Sequence, residues 1–426
     1  MDRSALDRLS REELIELVLR LQRPAKTSRT SSKPPSSDPK ERREQSRPGG
    51  AKPGHEGHSR DLSEHPDATQ DHAPSHCERC GLPFEAGAEA EVVSEHDEIE
   101  LPPVQPFVRR HRRLSLRCRC CNATTRAELP AAVLGTPFGP RIHALAVYLK
   151  GTQLFSYERL GAAFWDLFGL RLSEGALMNM FKRTRAAFHR EREKALTDLR
   201  RAPFVACDET GVRIEGAGAY HWVFCSDQAV VHAAAPSRAA EVVRQIMGEH
   251  RPSVWTSDRY SAQQGHGLQH QTCLAHLRRD VRFAEENGED DVPFRLRLWF
   301  ERVFALAKGI EASAASTIRT KRRRLERDLD TILSTASTCA LGRALIDKVA
   351  RARHQLLTFC DFPGEVGPTN NVSERRLRPC VIQRKVTNGY RSTWAAEYEA
   401  DMRTTVDTAR LAGADPYQTI LKTICP

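Results

Sequence analysis

The sequence has no run of about 18 or more consecutive apolar residues, so no membrane-spanning helix is expected. Its first 22 residues, MDRSALDRLSREELIELVLRLQ, are charged throughout and lack the apolar h-region of a signal peptide. Apolar residues make up only 40% of the chain, and the mean hydropathy is −0.53. With neither span nor export signal, the cytoplasm is the expected location. Disulfides are disfavoured there, so closely spaced cysteines among the twelve read better as metal ligands.

Lysine and arginine are abundant. The 65 Lys and Arg outnumber 55 Asp and Glu, leaving a formal charge of +10 and a pI near 9.1. That balance favours a polyanionic partner, because each cation placed on a phosphate releases condensed counterions. At 426 residues the chain exceeds what one compact core accommodates, so two to four units are expected.

Residues 1–22 form the first segment. Leu9, Leu14, Leu17, Leu19 and Leu21 fall near helical spacing, with Ser10 and Glu13 as a possible capping box. The stripe suits a short coiled-coil arm or a helix docked on its own domain. Residues 23–66 turn to Pro, Ser, Gly, Lys and Arg, with almost nothing to bury; a basic disordered linker is expected.

Residues 67–130 carry two cysteine pairs, Cys77-x-x-Cys80 and Cys118-x-x-Cys121. Four thiolates in two short turns suit one tetrahedral zinc ion with a structural role, since four protein ligands leave no open position. The long intervening stretch, with apolar alternation at Glu98–Leu101 and Phe107–Arg109, indicates a zinc ribbon rather than a compact finger. Cys120 competes for the fourth place; Cys121 is favoured because two intervening residues close a knuckle better than one. A strand rich in Arg109, Arg110, Arg112, Arg113, Arg117 and Arg119 is expected to lead into the second knuckle and to meet phosphates.

Helices are expected over residues 135–192: Arg141–Leu149, then Tyr157–Phe168 capped by Ser156 and stopped by Gly169, then Glu174–Phe188 capped by Ser173. The short turn between the last two resembles a helix-turn-helix, offering Asn179, Lys182, Arg183 and Arg185 to a groove. An ordinary helical bundle uses the same signals.

From residue 200 the period shortens. Phe204–Cys207 reads as an apolar strand ending in Asp208, and Tyr220–Cys225 with Ala229–Ala234 as a hairpin. Ser253–Ser257 reads as a strand ending in Asp258, and His270–Leu274 as another before a helix, Ala275–Glu285. A mixed-sheet α/β domain follows. Residues 200–290 are its first part, 291–365 a helical insertion, and 366–426 its last part with C-terminal helices. In the last part Glu374 opens a helix that Pro379 is expected to kink or end. Two strand-end acids with a third from a later helix can hold a pair of Mg²⁺ or Mn²⁺ ions roughly 3.5–4 Å apart for phosphoryl transfer. Strand-end acids that merely cap loops are common, so the spacing by itself is a weak signal.

An ordered set of motifs adds to this. It comprises Thr30–Asp38 (TSSKPPSSD), Pro48–Gly50, Pro53–Gly57 (PGHEG), both cysteine pairs, Asp208–Gly211 (DETG) and Ser257–Tyr260 (SDRY). Cys273–Asp280 (CLAHLRRD), Asn370–Pro379 (NNVSERRLRP) and Arg384–Lys385 complete it. Over nearly its whole length the chain resembles transposases of the insertion-sequence sixty-six family. The resemblance implies an RNase H-like core of DDE type, with Asp208, Asp258 and Glu374 as the catalytic and Mg²⁺-binding acids. The 116 residues from Asp258 to Glu374 fit the helical insertion of that family.

The implied activity is binding of terminal inverted repeats, 3′-end cleavage and strand transfer, with DNA and a homo-oligomer as partners and small accessory proteins from the same element. A non-catalytic zinc-containing DNA-binding regulator, or an RNase H-like nuclease without strand transfer, is the alternative. Arg378 and Lys385 lie four and eleven residues after Glu374, on its helical face if the helix passes Pro379; with Arg384 they are candidates to grip phosphate. Glu209 is expected to face away from the site. Cys273-x-x-His276 supplies two ligands only, which suits a structural or substrate-positioning role.

Overall fold

A computed structural model describes residues 10–12, 14, 26–27, 29–30, 54–57, 60–85, 87–102, 104–130 and 135–425. The expected N-terminal helix and basic linker fall largely outside the described residues. The chain divides into two units, residues 40–107 and residues 1–39 with 108–426.

In the smaller unit the chain runs without regular helix or strand among the described residues, and an isolated bridge joins His76 to Pro83. The apolar alternation at 98–101 does not become a strand: Ile99 and Leu101 are exposed, without the packed face that turns alternation into a sheet.

From residue 108 on, the larger unit opens with a hairpin, β1 (Ser115–Arg117) and β2 (Thr124–Arg126). The expected arginine-rich strand is shorter than its charge pattern suggested; Arg109–Arg113 lie before it, outside any regular element. Helices α1 (Pro140–Val147), α2 (Tyr157–Phe168) and α3 (Glu174–Leu199) follow. A π-helical turn, Tyr148–Thr152, extends α1. The Ser156 hydroxyl accepts from the Arg159 N–H and Ser173 from Ala176, each at 3.2 Å, satisfying donors that open a helix. Gly169 ends α2 in the left-handed region at φ 63°. Helix α3 outruns its expected end by eleven residues (199 − 188), because Leu196 and Leu199 keep a buried stripe going.

A five-stranded sheet follows: β3 (Phe204–Ile214), β4 (Ala217–Cys225), β5 (Val230–Ala235), β6 (Val254–Ser257) and β7 (Gln269–Thr272), in the order β5-β4-β3-β6-β7. The first three strands meander antiparallel, and β6 and β7 run parallel to β3. Helix α4 (Ala240–Met247) and the end of α3 cover one face, enclosing Val205, Cys207, Trp222, Phe224, Val231 and Trp255.

Helix α5 (Leu274–Asn287) leads into α6 (Val292–Lys308), α7 (Ala315–Leu333) and α8 (Ala340–Arg351). Their shared core includes Leu277, Leu296, Trp299, Phe300, Leu329 and Val349, so the insertion packs onto α5 instead of standing apart. Helices α9 (Asn371–Thr387), α10 (Thr393–Leu411) and α11 (Pro416–Ile424) complete the chain.

Helix α9 lies over the second face of the sheet, where Leu377 packs with Val223, Cys225 and Val230. Pro379 neither ends nor breaks it: the helix continues to Thr387 and stops at Asn388, left-handed at φ 57°. Only the one backbone donor that proline lacks is lost. Helix α10 shares a core with α1–α3 through Tyr398, Met402 and Val406.

Candidate active site

Asp208 sits within β3 and not at its end, paired with Val223 of β4. The apolar run stops at Cys207, but hydrogen bonding with β4 carries the strand on to Ile214. On the other edge the ladder with β6 reaches only Ala206↔Thr256. Two residues further along each parallel strand bring Asp208 level with Asp258, beyond the last rung. Asp258 closes a turn, its Oδ1 accepting the Tyr260 N–H at 2.8 Å. Asp208 Oδ1 accepts the Glu209 N–H at 2.9 Å.

Alternation along β3 sends Cys207 and Glu209 to one face and Asp208 to the face covered by α9. Glu209 is indeed turned away, its side chain 1% exposed. Arg238 pairs with it, and Gln263 Nε2 donates to its Oε2 at 2.6 Å. Burial raises the Glu209 carboxyl, and Arg238 and Gln263 oppose the rise.

Glu374 lies in the first turn of α9, one turn after Asn370. Asn370 is 1% exposed; its Nδ2 donates to Cys207 O at 2.8 Å and its N–H to Cys273 Sγ at 3.2 Å. The start of α9 is thereby tied to β3 and to the start of α5, and the Glu374 N–H donates back to Asn370 O at 3.1 Å. Asn370 was not among the candidate residues, although NNVSE places it where a helix N-cap belongs. Its tertiary bonds have no local signal.

Burial pushes the Asp208 carboxyl up to about 8. Glu209 adds to this, the Glu209 N–H opposes it, and Asp258 and Glu374 add further repulsion. Glu374 Oε1 is buried with no hydrogen-bond partner. An aspartate raised by burial and by acidic neighbours fits a divalent cation, which would relieve that repulsion. A cavity of about 360 Å³ opens beside Asp258, lined by Lys26, Thr30, Arg238, Arg259, Tyr260, His276, Arg279 and Asp280.

Cys273 and His276 do not stand alone. One ligand atom from each lies within 4.8 Å of the others and of Glu374, a third donor about 100 residues away in sequence.

The two cysteine turns share one local geometry. Cys77 N–H donates to Leu82 O at 2.9 Å and Gly81 N–H to Cys77 O at 2.8 Å. Cys118 N–H donates to Ala123 O at 2.8 Å and Asn122 N–H to Cys118 O at 3.0 Å. Gly81 and Asn122, the matching residues, are both left-handed, at φ 73° and 59°. The backbone N–H groups of Cys80 and then Arg79 lower the Cys77 thiol; those of Cys121 and then Cys120 lower Cys118. Cys121 thus occupies the place in the second turn that Cys80 has in the first.

Among the candidate DNA contacts, Arg109, Arg110, Arg112, Arg113, Arg378 and Lys385 are exposed. Arg113 Nε donates to Ala127 O at 2.8 Å, and several of the remaining candidates also have protein partners. Lys182 Nζ stands 5.3 Å over the Trp394 ring, Arg183 donates to Gly135 O, and Arg185 pairs with Glu397 at 2.6 Å. Arg384 bonds Thr210 Oγ1 and Gly211 O, clamping α9 to β3. The opposite side of α3 is spent on the core it shares with α10.

A basic chain with metal-type cysteine turns and an acid cluster on a mixed sheet outlines a protein of nucleic-acid chemistry. Residues 135–398 match the Transposase IS66 family, and residues 74–122 match the zinc-finger binding domain of transposase IS66. The first match covers well over half the chain, which therefore belongs to the Transposase IS66 family. It is a transposase with a zinc-finger domain, DNA is its partner and zinc its implied ion. No match to a curated protein is found. Among the described residues no helix is long and apolar enough to cross a membrane.

Proposed function

We propose that the chain binds the terminal inverted repeats of its element, cleaves the 3′ ends and joins them to target DNA on an RNase H-like core of DDE type. Asp208, Asp258 and Glu374 are the acids of this reading, holding two Mg²⁺ or Mn²⁺ ions. The observation that carries it is that Asp258, one residue past β6, and Glu374, in the first turn of α9, both act as charges on the buried Asp208 of β3.

Bound ions would supply charge neutralisation at the phosphate and a water or 3′-hydroxyl activated for in-line attack. The chain's own part is positional. The Glu209 and Tyr260 N–H groups orient the two aspartates, and Asn370 fixes the helix that carries Glu374. Arg378 and Lys385 lie on the Glu374 side of α9 and are exposed to meet a DNA backbone.

Cys77, Cys80, Cys118 and Cys121 are the proposed zinc ligands, a reading supported by the shared knuckle pattern and the N–H groups facing Cys77 and Cys118. Arg109, Arg110, Arg112 and Arg113 are the proposed phosphate contacts beside that ion. A helix-turn-helix role for α2 and α3 requires Lys182 and Arg183 to leave Trp394 and Gly135.

The test is alanine at Asp208, Asp258 and Glu374 in turn. Each substitution is expected to lower cleavage of an end substrate by roughly 10³-fold or more while end binding persists. Full cleavage by Asp258→Ala refutes the triad. A gel that resolves joined from nicked DNA separates strand transfer from simple nuclease action.

A further inference from the structure

We propose that Cys273, His276 and Glu374 form a second kind of metal site beside the catalytic acids, one built for a borderline ion of the zinc class. The inference rests on the catalytic reading only through Glu374, which the two sites share.

Geometry carries it. Cys273 is the N-cap residue of α5 and His276 stands in its first turn, so both donors project from one helix end. Glu374 reaches them from the first turn of α9, and one ligand atom of each residue lies within 4.8 Å of the other two. In a tetrahedral zinc site with bonds of about 2.0–2.3 Å, neighbouring donors stand about 3.3–3.6 Å apart, so side-chain adjustment alone closes the cluster.

Two of the three donors are orphans: His276 Nδ1 and Glu374 Oε1 are both buried without a hydrogen-bond partner. A buried carboxylate oxygen and a buried imidazole nitrogen are each unfavourable as bare polar atoms. One cation satisfies both. The third donor is prepared for it, since the Asn370 N–H donates to Cys273 Sγ at 3.2 Å and the Ala275 and His276 N–H groups also face that sulfur. Such donors stabilise a metal-bound thiolate.

A set of one sulfur, one imidazole and one carboxylate suits Zn²⁺ or Co²⁺ and is poor for Mg²⁺, which asks for oxygen. Three protein ligands leave one position open, the pattern of a site that meets substrate and not of a closed structural site. His276 also lines the cavity next to Asp258, so a DNA phosphate oxygen or water could take that place. The ion would hold Glu374 Oε1 and leave Oε2 for the catalytic acids.

The test counts metal in the full-length chain after zinc loading and gel filtration. Wild type is expected to hold about two zinc equivalents, one from the cysteine knuckles. Cys273→Ser and His276→Gln should each hold about one, with circular dichroism unchanged, while Cys77→Ser/Cys118→Ser keeps the other. In that knuckle variant Co²⁺ should give a thiolate-to-cobalt absorption that vanishes on adding Cys273→Ser. One zinc in wild type, unchanged by Cys273→Ser and His276→Gln, overturns the proposal. Asp258→Ala should retain both ions: if it cleaves normally the catalytic triad falls while the zinc count stands, and the reverse outcome sinks this site alone.

Discussion

Asp208 and Glu209 are adjacent acids in the same strand, yet one meets α9 and the other meets Arg238 and Gln263. The β pleat makes the separation, and burial then raises both carboxyls. Asn370 acts at the same scale. Asn370→Ala removes the donor to the Cys207 carbonyl and should destabilise the fold by about 1–3 kcal/mol, read by urea denaturation. Cleavage should fall as well, because the same side chain sets the start of the helix that carries Glu374.

His270 gives a pH signature. Burial lowers its pKa to about 4, with His266 adding repulsion, and its buried Nδ1 has no acceptor for the N–H that protonation would create. The unfolded chain therefore binds the proton first as pH falls. Stability from this group is complete above about 6.5 and is lost on descent to about 4, by at most about 3 kcal/mol. His270→Gln should flatten that part of the acid limb in melts taken between pH 7 and 4; an unchanged limb refutes the assignment.

Among the elements, the junction of α9 with β3 is the most exacting. Gly389 has φ 110°, and an added Cβ would stand 2.2 Å from Arg213 O. Tyr390 N–H donates to that same oxygen at 2.8 Å, and Glu215 N–H returns to Tyr390 O at 2.9 Å. Gly389→Ala should therefore cost about 1–3 kcal/mol or more and loosen the seat of α9, measured as a lower Tm with weaker divalent-ion binding. In the insertion, Leu329 is fully buried against the core that includes Trp299 and Phe300. Leu329→Ala should cost about 2–5 kcal/mol in calorimetry, the range of a cavity that closes only in part.

The excess of cations acts over the whole molecule. End binding should weaken steeply with salt, the logarithm of affinity falling linearly with the logarithm of salt concentration. Replacing Arg109, Arg110, Arg112 and Arg113 by alanine should shallow that slope by several units without touching the acid cluster; an unchanged slope places the contacts elsewhere. Cys118→Ser should abolish end binding yet leave the 135–398 region folded, as its own heat-capacity peak would record, because its cores draw on no residue of the knuckles.

Local signals reached far. Ser156, Gly169 and Ser173 bounded their helices because a cap or a left-handed stop is written in one residue and its neighbours. The family was legible too, and the candidate acids and cysteine pairs could be nominated, since each sits in a short motif with its own spacing. What lay beyond reach was any fact that depends on pairing. The extension of β3 past Asp208 is made by β4, and the survival of α9 through Pro379 by the sheet beneath it. The loss of Arg384 to β3 likewise needs both elements in place. The sequence by itself determined the candidate acids and the family to which they belong. Only the tertiary structure decided that donor atoms of Cys273 and His276 stand within 4.8 Å of one from Glu374, because close approach between residues about 100 positions apart leaves no periodic trace in the chain.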